Sequence, residues 1–403
     1  MKRLLSTVMA MALLLTGCAA KEGTSSPAPE SPQDTVTNFE SIRAVWIPMV
    51  QYETWMTDKT EADFQATVQT AFANCKEFGI NTVFVHVRAF GDAYYDSRLY
   101  PRGSYQTGDY DALGIMVKEA HAKGLSIHAW INPMRCQLVE DMPSIDTAYT
   151  VRQWTDDPEK NGTFVVDVDG RYWLDPAYEE VRGLVTSGVK EILEGYDVDG
   201  IHIDDYFYPT QEEFFDEQAF RESGEKSLED FRRENCTKMV KSLYDTVKAY
   251  DENCIFSISP QGNIDNDYNK LYADVYTWAG EPGYCDWMIP QIYFGFQNDT
   301  CPFEETLQTW QSFTDEAALI PGLAVYKIGN EDKFAGSGSQ EWIENDDVIS
   351  SETQIILDSD SCAGVVFYNY ASLFTPEDAV RKLVDAERER VAAIIAQHSA
   401  DKS

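Results

Sequence analysis

Apolar, β-branched runs bounded by Gly, Pro or Asp recur from residue 42 onward, and amphipathic stretches long enough for a helix separate most of them. Eight such runs are present: IRAVWIPMV (42–50), INTVFVHVRAF (80–90), LSIHAWINPMR (125–135), VDGIHIDDYFYP (198–209), CIFSISPQG (254–262), CDWMIPQIYF (285–294), LIPGLAVYKIG (319–329) and CAGVVFYNY (362–370). Several follow the same phrase, a helix ending in Gly and then a strand: CKEFGINTVFV, HAKGLSIHAW and LEGYDVDGIHI. Gly at a helix C-terminus supplies the left-handed turn that opens an αβ connection. Eight such units predict an α/β fold, a (β/α)8 TIM barrel, closed by a helix from Pro376 onward. An open doubly wound sheet is the competing architecture, but the sequence carries no Gly-rich dinucleotide or P-loop fingerprint to support it.

Two segments exceed the basic unit. Residues 136–172 separate the third strand from a helix beginning near Pro176, and the strongly charged 210–235 follow the fourth strand. Insertions after barrel strands lie on the catalytic face in this fold, so both are expected to shape a groove.

The N-terminus follows a different pattern. Lys2 and Arg3 precede an apolar run, Leu4 to Leu15, which closes on Leu15-Thr16-Gly17-Cys18. This reads as a signal peptide, residues 1–18. Its end is similar to the bacterial lipoprotein cleavage box, which implies lipidation of Cys18 and a membrane-anchored, extracytoplasmic protein. Residues 19–40, rich in Ser, Pro, Ala and Glu, read as a flexible tether, leaving 41–395 as the barrel domain. Seven further cysteines lack C-x-x-C spacing, so neither a zinc site nor a full disulfide framework follows.

Of the 403 residues 43% are hydrophobic and 25% charged, a globular composition, with a net charge of −36. That charge argues against a nucleic-acid partner or an anionic membrane surface, which need clustered Lys and Arg. Acidic solubilisation is sufficient reason for it.

Strand alternation indicates which side chains face the barrel axis. In the fourth strand Ile201 and Ile203 share the helix-facing side, which turns His202, Asp204 and Tyr206 inward. The same rule turns inward His86 and Arg88 on the second strand, His128, Trp130 and Asn132 on the third, and Gln291 and Tyr293 on the sixth. A structural barrel would fill these positions with Val, Ile and Leu. Polar groups converging toward the strands' C-terminal ends instead predict a hydrogen-bonding pocket.

Taken singly these residues are weak signals. An inward His is more often a hydrogen-bonded core residue than a catalyst, and Trp130 more often packs than carries a sugar. His86, His128 and His202 could ligate a metal with Asp204, but they come one per strand without an H-x-H pair, and no metal or cofactor is predicted. Adjacent Asp204 and Asp205 beside aromatics are better matched to glycosidic cleavage, in which one carboxyl must stay protonated to donate to the leaving oxygen. Ionising one of the pair disfavours ionising the other. The alternative for Asp205 is a supporting carboxylate salt-bridged outward.

The phrases RAVWIPMV, INTVFVHVRAFGDAYYDSRLYP, AHAKGLSIHAWINPMR, GRYWLDPAYEEVRGLVTSGVKEILEGYDVDGIHIDDYFYP, SISPQGNI and DWMIPQIYF, over residues 42–330, resemble the glycosyl-hydrolase-like family ten. That resemblance implies a (β/α)8 barrel, a bacterial surface location and glycan hydrolysis, with peptidoglycan strands stripped of stem peptides as a substrate of relatives. Carried onto this chain, the family pattern falls on Arg88, Asp92, His128, Asn132, Arg135, Asp204, Asp205, Tyr206 and Gln291. His86, Ala89 and Asp111-Ala112-Leu113 depart from it, which bears on sugar contacts more than on the chemistry.

The expected function is therefore an endo-glycosidase acting by carboxylate acid/base catalysis. Either the substrate's 2-acetamido group serves as nucleophile, which suits strands with no Glu at their C-terminal ends, or one Asp attacks directly. Arg88 and Arg135 are the candidate cations for lactyl carboxylates, and Trp130, Tyr206 and Tyr293 the candidate sugar platforms. Two rival classes are a surface carbohydrate-binding lipoprotein without catalysis and a metal-dependent polysaccharide deacetylase.

Overall fold

The computed structural model describes residues 38–401. The leader, Cys18 and nearly all of the 19–40 tether lie outside the described residues.

Nine parallel segments hydrogen-bond in the order 318–319, 287–288, 255–258, 200–203, 126–131, 82–88, 42–47, 364–368, 322–324. The two ends of this series belong to one strand. Ala318–Leu319 pairs with the sixth strand, Gly322–Ala324 pairs with the eighth, and only Ile320 and Pro321 lie between. Pro321 has no N–H to give the ladder, yet its carbonyl accepts from Val366 N–H at 3.0 Å, and Ile320 N–H reaches Met288 O at 2.9 Å. Nine segments therefore make eight strands closed on themselves, at the eight places where the sequence pattern put them.

Alternation sorts the side chains as expected. Val45, Ile47, Val83, Val85, Ile127, Ala129, Ile201 and Ile203 face the helix layer and belong to its large apolar core. Ala44, Trp46, Phe84, Trp130, Trp287, Ile289, Ile320 and Val366 fill the barrel instead. Gly200 is required on that inner side, because a Cβ there would fall 2.3 Å from His128 Nδ1.

Local signals set the helices. Glu61–Phe78 starts on a capping box, with Thr60 accepting from Asp63 N–H and Asp63 reaching back to Thr60 N–H, and stops at Gly79, φ 97°. The helix placed near Pro176 begins at Glu179, and the one expected from Pro376 spans Arg381–Asp401.

Both insertions have structure of their own. After the third strand, Arg135–Leu138, Val165–Val168 and Arg171–Leu174 form a small antiparallel sheet. After the fourth, a fully buried Arg232–Asp216 ion pair at 2.7 Å ties down the segment, with Arg232 also donating to Glu212 O at 2.7 Å. Such a pair is tolerated in the interior because further hydrogen bonds satisfy it.

Candidate active site

The fourth strand ends at Ile203, where the chain leaves the sheet at the mouth of the barrel. Asp204 continues the inward side and is 5% exposed. Asp205 is not turned to the outside as strict alternation requires. The strand has already ended, so both adjacent carboxyls line one pocket of ≈ 500 Å³. Its walls are aromatic: Trp46, Trp130, Tyr206, Tyr293, Tyr326 and Tyr368.

The two carboxyls differ in their surroundings. Asp204 Oδ1 is buried without a hydrogen-bond partner among the described residues. Burial first, and the neighbouring Asp205 charge second, push its pKa well above the ordinary carboxylate value. Asp205 is also raised by burial, but amide hydrogen bonds from Gln261 and Gln291 oppose the shift. The Gln261 contact, Nε2 to Oδ2, is 3.2 Å. At neutral pH this arrangement favours a proton on Asp204 and charge on Asp205, the division of labour that acid-assisted bond cleavage needs.

A cation faces the pair. Arg135 projects from the small insertion sheet, its guanidinium 4.1 Å from the centre of the Tyr206 ring and 4.8 Å from that of Phe90. Its charge favours the ionised form of both Asp204 and Asp205. Arg171 lies on the same sheet, 4.4 Å from the Phe90 ring centre, and the proximity of Arg135 is one cause lowering its pKa, after burial.

The structure brings together Asp204, Asp205, His86, Trp130, Arg135, Tyr206, Gln291 and Tyr293 in this pocket. Other expected residues lie elsewhere. The pairing of the second and third strands is irregular between His86 and Arg88, so Arg88 aligns with the outward Ile131 rather than continuing the inner row. Its guanidinium packs toward the helix layer, 4.6 Å from the Tyr100 ring centre and next to Gly188, and it is 1% exposed. Arg88 therefore does not reach the pocket, and Arg135 is left as the candidate cation. Asp92 accepts from the Ala89 and Phe90 N–H groups at 2.9 Å each, and Asn132 donates to Ala89 O at 3.1 Å. These two shape the loop after the second strand.

Two of the three histidines are core residues. His128 sits low in the barrel, its Nε2 at 3.1 Å from Ser126 Oγ and 3.2 Å from Asn38 Oδ1, stacked on Trp287. His202 accepts from Trp46 Nε1 at 3.0 Å through Nε2, which leaves Nδ1–H to donate to Ser257 Oγ at 2.8 Å. Burial lowers both pKa values, that of His128 to about 4. His86 does line the pocket, stacked face to face on Trp130 with ring centres 3.8 Å apart. The three imidazoles thus do not converge with Asp204, and no metal-holding group of three or more His, Cys, Asp or Glu occurs among the described residues.

The model of the Glycosyl hydrolase-like 10 family matches residues 41–339. The chain belongs to that family. Relatives include "Glycosyl hydrolase YngK" from Bacillus subtilis, 28% identical over 75% of this chain and 64% of its own length. "Glycosyl hydrolase DigH" from Escherichia coli is also 28% identical, over 87% of this chain and 88% of its own. Among solved structures, an alpha-L-fucosidase from Paenibacillus thiaminolyticus superposes with TM-score 0.58 at 14% identity, over 89% of this chain and 50% of that one. The PgaB glycoside hydrolase domain from Bordetella bronchiseptica gives 0.57 at 11% identity, over 87% of this chain and 99% of that one. At such identity these likenesses establish the (β/α)8 fold.

Several lining residues of this family member escaped the sequence reading. Trp46 and Tyr368 follow the alternation rule, since they continue the inner rows Ile42-Ala44 and Gly364-Val366. Gln261 and Tyr326 lie beyond their strands, where alternation no longer governs direction.

Proposed function

We propose that this protein is an endo-acting glycoside hydrolase of N-acetylhexosamine-containing strands, with peptidoglycan glycan freed of stem peptides as its substrate, held at the extracytoplasmic membrane face through lipidated Cys18. The observation that carries the chemistry is the unequal carboxyl pair at the mouth of an aromatic-walled pocket. Asp204 donates its proton to the glycosidic oxygen as the C–O bond breaks. Asp205, ionised and held by two amides, either orients the substrate's 2-acetamido oxygen for attack on the anomeric carbon or attacks it directly. Water then displaces the acetamido or Asp205 oxygen from that carbon and returns a proton to Asp204, restoring the starting state. Tyr206 and Tyr293 offer ring surface to sugar C–H groups, Trp130 backs the pocket from its stack on His86, and Arg135 is the group matched to a lactyl carboxylate.

The test is to incubate the protein with peptide-free peptidoglycan strands and with chitin oligosaccharides, which lack the lactyl group, and to separate the products by mass. Shortened oligosaccharides from the first, a slower reaction on the second, and a preference narrowed by Arg135→Leu are expected. Intact strands would contradict the proposal.

A further inference from the structure

A second pocket, of ≈ 580 Å³, opens beside the first and shares Asp205, Gln291, Tyr293 and Tyr326 with it, so the two form one cleft. Its outer wall is the loop after the seventh strand, where Phe334 is 91% exposed. A phenyl ring left in water forgoes the free energy of burial, which a slack loop recovers by folding the ring in. This loop is tied on both sides of the ring. Asp332 accepts Phe334 N–H at 3.2 Å and the Lys327 ammonium at 2.5 Å. Asp299 accepts from Ser337 N–H at 2.7 Å and from its hydroxyl at 2.5 Å. The ring is held out by its backbone.

Exposed apolar surface gathers on this cleft. Seven large hydrophobic side chains are exposed among the described residues, and three of them line it: Val50 in the acid pocket, Tyr326 in both, and Phe334 in the second. Between the aromatics the second pocket offers mainly amides, Gln261, Asn263 and Asn298 among them, while its Lys327 is already paired with Asp332. Isolated rings separated by neutral donors and acceptors match the two faces of an uncharged pyranose, with C–H groups for the rings and hydroxyl or acetamido groups for the amides. An apolar peptide would need a continuous greasy floor, and an anion would need a free cation.

We propose that the second pocket is a further saccharide subsite of the same cleft and that Phe334 is its stacking platform, so that sugars on one side of the cut are gripped well beyond the acid pair. This subsite rests on the glycan-hydrolase reading above. A grip of this kind makes kcat/KM depend on chain length, and it acts on long substrates alone.

The experiment measures kcat and KM on peptide-free peptidoglycan oligosaccharides of graded length, for the wild type, Phe334→Ala and Phe334→Trp. The wild type is expected to gain kcat/KM with length. Phe334→Ala should flatten that gain, losing about tenfold on the longest strand, mainly through KM, with the shortest cleavable substrate unaffected. Phe334→Trp should restore the gain. Alanine matching the wild type at every length, or a wild type indifferent to length, would overturn the subsite while leaving the hydrolase reading intact. Strands left whole by the wild type would contradict the hydrolase reading itself and the subsite with it.

Discussion

Gln261 donates its amide N–H to Asp205 Oδ2 across 3.2 Å, while the adjacent Asp204 keeps Oδ1 buried and unpartnered. Two identical side chains, consecutive in sequence, thereby receive different protonation preferences. Burial raises both, but two side-chain amides oppose the rise at Asp205, whereas at Asp204 burial and the neighbouring charge outweigh the Tyr206 N–H and the Trp130 indole.

Removing that donor should therefore move one limb of the pH profile. The hydrogen bond holds the Asp205 pKa down, so Gln261→Ala raises it, and Asp205 must be ionised to act. The acid limb of kcat/KM is expected to shift to higher pH, with the alkaline limb less affected. Initial rates across roughly pH 3 to 9 check this.

Asp204→Asn should remove the acid and lower kcat by about 10²–10⁴-fold on natural strands. A dinitrophenyl glycoside, whose leaving group needs no proton, should lose far less. The same substitution should raise Tm at neutral pH. The folded-state pKa of Asp204 is raised, so the unfolded chain ionises first as pH climbs, and stability falls with pH between the ordinary carboxylate value and the raised one. Asn escapes that loss, and its advantage should vanish below the ordinary Asp value of about 3.9. Calorimetry at both pH values reads the difference.

Asp205→Asn deletes a like charge beside Asp204. Because that charge raises the Asp204 pKa, its loss must lower it. Carbon-13 NMR titration of the Asp204 carboxyl in the two proteins should show the midpoint moving to lower pH in the variant. An unmoved midpoint would mean that burial alone sets it.

The fold was legible because parallel strands buried on both faces leave continuous apolar runs, and a Gly marks several of the helix ends before them. Half of the site was legible for the same reason: wherever a strand kept its regular twofold alternation, as at His202, Asp204 and Trp130, direction could be read from position. It failed where alternation stops. An irregularity after His86 sends Arg88 to the wrong side, and the end of the fourth strand brings Asp205 to the right one. Height along the axis is a separate matter, and it is why inward His128 proves to be core. Phe334 lies on a loop, where no periodicity operates.

His202 is expected to serve stability. His202→Ala removes the acceptor of the Trp46 indole and the partner of Ser257 and opens a cavity, costing about 3 kcal/mol in urea unfolding. Because both its ring nitrogens are engaged within the core, a chelator such as EDTA should leave glycan cleavage unchanged.

The most direct test of the account is cleavage of peptide-free peptidoglycan strands in oxygen-18 water, followed by mass spectrometry, for the wild type beside Asp204→Asn and Asp205→Asn. Hydrolysis by the acid pair predicts shortened strands with one oxygen-18 at each new reducing end from the wild type, and at most traces of them from either variant. Strands that stay intact, or fragments that form without the label or equally well in both variants, would contradict it.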